Sequence, residues 1–491
     1  MPLPWPPNSG IAVRLVPGGS RSGMTFASIQ FLFYFLPLFL LLYYCARSIQ
    51  WRNGIFVVFS LIFYSVGYTP HLILLLFSIF INYRLALLMD DRKGKARQRI
   101  LIVGVVFNLL LLAAFKYTGF ILENIDALLA PMGTRIPVPM ISLPLGISFY
   151  SFHAISYIAD IYKGRVRANR NIAEFTLYMT MFPQLVAGPI VRYSTVARQL
   201  RQRRTTYGRF SAGARIFVLG LAWKVLIADE VSRIVDVVFD GTTMPAFTEA
   251  WLAVYAYAMQ IYFDFGGYSA MAVGLGVMVG FTLPRNFRIP YASHSITEFW
   301  RRWHMSLSSW LRDYVYFTLG GNRLGAGRTY VNLWTVFLLC GLWHGASWNF
   351  VIWGIHHGTF LVLERAGLGR LLSAAPKAVS HLYTLLAVFL GWVWFRAETF
   401  AGAIDMFRGL VGLNGFGGVT MAMHFSLQPL SVAALVAGGL IGLWKWPRLK
   451  LPERLKPVAA LADYAMVGGV MVLSIIWIGG GLPTPFLYYR F

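Results

Sequence analysis

His344 lies in the middle of LLCGLWHGASWNFVIWGIHHG (338–358), a run apolar enough to enter a membrane. An ionisable side chain at membrane depth is costly, so it faces a bundle interior or a water-filled cavity. Two readings of such an imidazole stand. It hydrogen-bonds a carbonyl of a neighbouring helix as a structural group, or it exchanges a proton with a reactant. The flanking residues favour the second. Gly341, Gly345 and Ala346 permit close backbone approach, and Trp343, Trp348 and Asn349 can build a pocket wall with a few polar groups. His304, in WRRWH, lies 40 residues earlier. Two histidines from different elements at one depth could form a single site.

Metal chemistry is excluded by spacing. HExxH and Cys/His zinc patterns are absent, and the adjacent His356 and His357 diverge by about 100° on a helix. No metal is expected. Cys340 shares a helix face with His344, and a small buried apolar residue is a better reading for it than a nucleophile. GGYSAMAVGLGVMVG (266–280) sits in an apolar helix with no preceding strand, so its glycines serve helix packing rather than a nucleotide. Asp264, in QIYFDFGGYS, is an acid inside an apolar segment and needs a partner. It either orients a histidine or holds a basic residue.

The elements that carry these residues belong to a membrane protein. Of 491 residues, 57% are hydrophobic and 13% charged, against roughly a quarter charged in soluble domains. The formal net charge is +24. The basic residues cluster in short loops, DDRKGKARQR (90–99), RVRANRN (165–171), ARQLRQRRTTYGR (197–209) and WKWPRLKLPERLK (444–456). Lys and Arg in short loops mark the cytoplasmic side and anionic lipid surfaces, so a lipid bilayer and not nucleic acid is the partner. Two cysteines in apolar runs make no disulfide framework. Apolar runs between residues 29 and 479 predict an all-α polytopic protein of roughly ten to twelve spans, each needing about 20 residues. Further re-entrant or interfacial pieces complete it. Residues 1–23, rich in Pro, Gly and Ser, read as a disordered tail or a mis-called start, and 24–491 as one membrane-embedded domain. FPQLVAGPIVRY (182–193) reads as a broken helix ending at Arg192. SITEFWRRWHMSLSSWLRDYVY (295–316) has apolar residues three and four apart, which predicts one amphipathic helix at the interface or on a cavity wall. His304 falls at the edge of its apolar stripe. Arg302 falls on its polar side. Arg312, Asp313 and Arg323 mark a basic rim, or a mouth for an anionic acyl carrier.

SITEFWRRWHMSLSSWLRDYVYFTLGGNR followed by LLCGLWHGASWNFVIWGIHHG resembles the membrane-bound O-acyltransferase family. The resemblance is strongest to the branch that holds the membrane subunit of alginate O-acetylation and the D-alanyl transfer protein of teichoic-acid modification. FLFYFLPLFLLLYY, LPLGISFYSFHAISYIADIY, FPQLVAGPIVRY, YFDFGGYSAMAVGLG, GWVWFRAE and TPFLYYRF follow the same branch in order, nearly the whole chain from Met24. The resemblance implies a ring of tilted helices around a central tunnel. It places the essential histidine at His344 and the second signature histidine at His304. It implies no bound cofactor. The donor is a cytosolic acyl thioester, acetyl-CoA or an acyl carrier protein, and the acceptor is a hydroxyl on the periplasmic side of a bacterial inner membrane. A periplasmic partner with a serine-hydrolase (SGNH-like) fold completes transfer to an exopolysaccharide such as alginate. In this reading His344 is a general base, which contributes about 10²–10⁴-fold. His304 orients it or holds the acyl group, and Asp264, Trp343, Asn349 and Arg302 are supporting candidates. RNFRIPYASHS (285–295) departs from the ENFNRPY pattern of alginate members, and Gly266 and Ala270 stand where Ser and Asp are usual. These departures leave cellulose or peptidoglycan acetylation and D-alanyl transfer open. The rival from another class is a non-catalytic polytopic transporter, but the repeat halves and paired broken helices of transporters are absent.

Overall fold

A computed structural model describes residues 24–66, 69–444, 452–480 and 486–487. The segment 1–23, part of the basic run 444–456 and most of the closing TPFLYYRF lie outside the described residues. Among the described residues every regular element is helical. In lipid a spanning segment must satisfy its own backbone polar groups, which a helix does. Among the described residues five helices are long and apolar enough to cross a bilayer: Thr69–Asp90, Gly94–Lys116, Tyr207–Phe239, Lys377–Arg396 and Glu453–Gly479. Gln30–Cys45 and Pro429–Leu443 are apolar but shorter. Other apolar runs form helices such as Ile147–Tyr162 and Trp348–Leu363, or belong to the Phe247–Met278 rod. The ten-to-twelve count read from hydropathy therefore includes helices that a length criterion does not admit.

Phe247–Met278 is the axis of the molecule, 32 residues long and buried along most of its length. It packs on Tyr207–Ala222 and Asp229–Phe239, and on Lys377–Arg396, Phe400–Leu410 and Pro429–Leu443. The glycines of GGYSAMAVGLG are used here. A methyl group added at Gly274 would meet Gly213 O at 2.6 Å, and one at Gly220 would meet Gly267 O at 2.6 Å. The two backbones touch directly at both levels. Asn82 and Asn108 exchange side-chain hydrogen bonds of 3.2 and 2.7 Å between neighbouring helices, polar glue suited to an apolar medium.

Three helices each have one end at the basic loops. Gly94–Lys116 begins in the basic run 90–99 and Ala326–His344 begins beside Arg323 and Arg328, while Ile147–Tyr162 ends at the basic 163–170 loop. Arg97 ties the first to the last by donating to the Ile161 carbonyl. At about 1.5 Å per residue, each helix carries its other end well away from the basic face. Those other ends, Lys116, His344 and Ile147, meet.

Ala326–His344 and Trp348–Leu363 form a tight hairpin. A methyl group at Gly341 would lie 2.2 Å from Phe350 O, and one at Gly354 would lie 2.4 Å from Phe337 O. Gly341→Ala should destabilise the protein by about 1–3 kcal/mol through this overpacking. Gly327→Ala, on the same helix with no atom within 4 Å, should be neutral or stabilising by up to about 1 kcal/mol. Thermal unfolding midpoints of both variants in detergent check this.

Candidate active site

The helix that carries His344 ends on it, and Gly345 leaves in an extended conformation. His344 is 3% exposed, and its Nδ1 lies 2.7 Å from the carbonyl of Cys340. A carbonyl only accepts, so Nδ1 carries the proton of the neutral ring and Nε2 presents its lone pair. The Cys340 sulfur is 3.9 Å from the same Nδ1, on the side of the ring already engaged. The carbonyls at the end of this helix, which have no partners within it, are served from another helix. Tyr117 Oη donates to Leu342 O at 2.7 Å, and Lys116 Nζ donates to Trp343 O at 2.5 Å and His344 O at 3.0 Å. A cation at a helix C-terminus also matches the dipole.

His304 is fully buried. The sequence pattern predicts one amphipathic helix over 295–316, and the structure divides it. Ile296–Trp300 is followed by a turn, then by Met305–Leu311 and a wide π-type turn at Arg312–Tyr316. His304 stands at the break with φ 40°, ψ 54°, a left-handed conformation that costs a non-glycine residue about 1–3 kcal/mol. Asn286 holds the break open. Its main-chain oxygen accepts from Met305 N at 2.9 Å, its Oδ1 accepts from Ser306 N at 3.2 Å, and its Nδ2 donates to Gly188 O at 3.1 Å. Ser306 Oγ accepts from Ile190 N at 2.9 Å. The 182–193 segment is broken as expected, but Arg192 caps the start of the Tyr193–Arg201 helix rather than ending one.

The imidazoles of His304 and His344 both lie against Trp343, with ring centroids 6.0 and 4.8 Å away. Trp343 stacks on Phe152, which stacks on Trp310. Two cavities flank this group. One of about 70 Å³ is lined by His344, Trp343, Lys116, Ser148, Leu145 and Val186 among others. The second, of about 510 Å³, is lined by Arg285, Arg288 and Arg302 with Trp223, Tyr262, Phe287 and Ile289. Phe287 touches Phe265 at 5.1 Å, and Phe265 lies edge-on to His304 at 4.7 Å. Phe287 and Phe265 thus stand between the arginine cavity and His304. The segment leading to it is held to the basic 197–209 run, where Arg209 donates to Gly280 O at 3.1 Å and Gln199 accepts from Thr282 N at 2.7 Å.

The supporting candidates separate. Asp264 holds a base: Lys224 Nζ lies 2.6 Å from its Oδ1 and 2.6 Å from Asp229, and Leu487 N donates to its Oδ2 at 3.0 Å. Asn349 lines neither cavity, and its Nδ2 donates to Ala397 O at 2.7 Å, tying two helices. Trp348 is 57% exposed and bonds Asn124. Arg302 pairs with Glu298 and belongs to the arginine cavity. At the rim, burial works to raise the Asp313 carboxyl, but hydrogen bonds from Arg312 and Arg192 outweigh it and leave its pKa below the ordinary carboxylate value. Lys116 and Asn286 are the residues that sequence reasoning passed over. The signals were a lone cation at the end of an apolar run and an asparagine inside the quoted RNFR motif.

A model of the membrane-bound O-acyltransferase family matches residues 59–399. A probable alginate O-acetylase of Pseudomonas putida is 40% identical over 491 aligned residues, covering 95% of this chain and 100% of the relative. One from Azotobacter vinelandii is 44% identical over 421, covering 84% and 83%. A peptidoglycan O-acetyltransferase of Helicobacter pylori is 36% identical over 428, covering 80% of each.

Asn286→Ala should leave Ser306 N–H and Gly188 C=O without their partners, at about 1–3 kcal/mol for each group. Asn286→Asp, which keeps the acceptor, should lose less. A thermal midpoint that falls in the order wild type, Asp, Ala bears this out.

Proposed function

The chain belongs to the membrane-bound O-acyltransferase family, and from that premise we propose that it acetylates an exported polysaccharide across the bacterial inner membrane. It is a multi-pass membrane O-acetyltransferase. The observation that carries the mechanism is His344, placed by a helix end beside a cavity with its Nδ1 proton held by the Cys340 carbonyl, the tautomer in which Nε2 is the basic nitrogen. Basic loops face the cytoplasm, so the arginine cavity opens toward the cytosolic side and the Lys116–His344 cavity toward the periplasmic side. A thioester donor, acetyl-CoA or an acetylated carrier protein, enters by the first. Its acyl group is held near His304 and Trp343. A hydroxyl of the acceptor, or of a periplasmic SGNH-like partner that relays the group, enters by the second. His344 Nε2 takes the hydroxyl proton as the oxygen attacks the acyl carbon.

One feature supports acetyl over a D-alanyl group, whose ammonium would stand beside the Lys116 side chain that lines the cavity. The names of the relatives favour alginate as the acceptor over peptidoglycan.

His344→Ala should lower acetylation of the secreted glycan by at least about 10²-fold at equal protein level, and Cys340→Ala should stay within about threefold of wild type. Acetyl content of the exported polymer in complemented cells measures both. Full acetylation with His344→Ala would end the enzymatic reading. Loss with Cys340→Ala alone would replace the base mechanism with a covalent one. Arg288→Gln should raise the donor KM about tenfold with little change in kcat, the signature of lost ground-state binding, in vesicles that hold the purified protein.

A further inference from the structure

The cavity beside His344 is rich in hydrogen-bond donors, more than a proton acceptor needs around it. Lys116 lines it from the end of its helix, partly buried. Among the described residues no carboxylate forms an ion pair with this ammonium. Two carbonyls engage it, and a lysine has three N–H donors. Trp343, 5% exposed, lines the same cavity, and its indole N–H has no hydrogen-bond partner among the described residues. The facing wall is Gly146, Ile147, Ser148 and Phe149, the start of the 16-residue Ile147–Tyr162 helix. Ile147 N donates to Pro144 O and Phe149 N to Gly146 O. The Ser148 amide lies in the first turn, where the helix offers no acceptor. The positive end of that helix dipole adds to the Lys116 charge. His344 Nε2 is the acceptor in this setting. A cavity so lined stabilises a negative oxygen.

We propose that this cavity is an oxyanion site, with Lys116 as its principal donor and the Trp343 indole and the Ser148 amide as the others. The proposal rests on the acyl-transfer reading and adds a catalytic residue to it. As the acceptor oxygen bonds to the acyl carbon, its proton passes to His344 Nε2 and the carbonyl pair moves onto the acyl oxygen. That oxygen, now negative, is held by Lys116. When it collapses, the C–S bond breaks and the leaving thiolate takes the proton from His344. Donors aimed at a charge that develops in the transition state lower the barrier without tightening ground-state binding.

The test compares two probes on the full-length protein in detergent. Acetonyl-phosphopantetheine, a ketone, mimics the ground state, and trifluoroacetonyl-phosphopantetheine, which hydrates, mimics the tetrahedral adduct. Wild type should prefer the second by about 10²-fold or more. Lys116→Met should lose most of that preference with acetonyl binding unchanged, Lys116→Arg should keep it within about tenfold, and acetylation by Lys116→Met should fall about 10²-fold. Trp343→Phe removes only the indole N–H and should weaken the preference several-fold, which keeps the test alive if Lys116→Met does not fold. A purely structural cap would change stability and both probes alike. No preference in wild type, or an undiminished one in Lys116→Met or in Trp343→Phe, overturns the oxyanion site. His344→Ala with full acetylation would instead overturn the acyl-transfer reading itself.

Discussion

A helix that stops inside an apolar scaffold leaves its last carbonyls facing a medium that cannot solvate them, at about 1–3 kcal/mol for each group left unpaired. The helix bearing His344 stops in that way, and Lys116 and Tyr117 serve three successive carbonyls at its end. The same requirement produces the site. Capping brings a cation to the cavity and fixes where the helix ends. It leaves the Cys340 carbonyl to set the proton on the His344 ring. The tautomer of the His344 ring and the helix terminus are therefore one structural fact.

His304 depends on a similar exchange. Its left-handed backbone is unfavourable by itself, and it persists because Asn286 accepts from the Met305 and Ser306 amides at the break, while Gly188 O holds the Asn286 side chain and Ile190 N donates to the Ser306 hydroxyl. The strain turns one predicted helix into two and swings the imidazole between Phe265 and Trp343. The cost is spread over hydrogen bonds to Asn286, 20 residues from Ser306, and to Ile190, 116 residues from it. Elsewhere the buried charges are neutralised in groups: Lys224 with Asp229 and Asp264, and Arg396 with Asp236 and Asp240. A buried pair is strongly destabilised by loss of one member, so these clusters fix the packing around the central rod while leaving the polar groups near the histidines available for chemistry.

The two cavities differ in a way that suits their proposed uses. The larger carries three guanidinium groups and an aromatic wall, matched to anionic and planar chemistry. The smaller carries one ammonium, one imidazole and a helix start, matched to a small reacting group. Phe287 and Phe265 stand between the arginine cavity and His304.

Much was legible in the residues alone. Apolar length and basic short loops determined a multi-pass helical membrane protein, the cost of an imidazole at membrane depth singled out His344, and the edge of an amphipathic stripe drew attention to His304, whereas the placing of Trp343 against both rings came from the tertiary structure. Glycines in GGYSAMAVGLG were legible as packing residues because a missing side chain has that one use in an apolar helix. Periodicity failed at 295–316, since an apolar stripe records which side of a segment is buried and says nothing of a break whose hydrogen bonds come from residues 188, 190 and 286. Asp264 could be read only as needing a partner. That the partner is Lys224, that Arg302 serves the arginine cavity, that Asn349 ties helices, and that Lys116 reaches His344 were all decided by the tertiary structure. A side chain's type and local spacing set what it can bind, whereas its actual partner depends on long-range contacts between helices that no local pattern encodes.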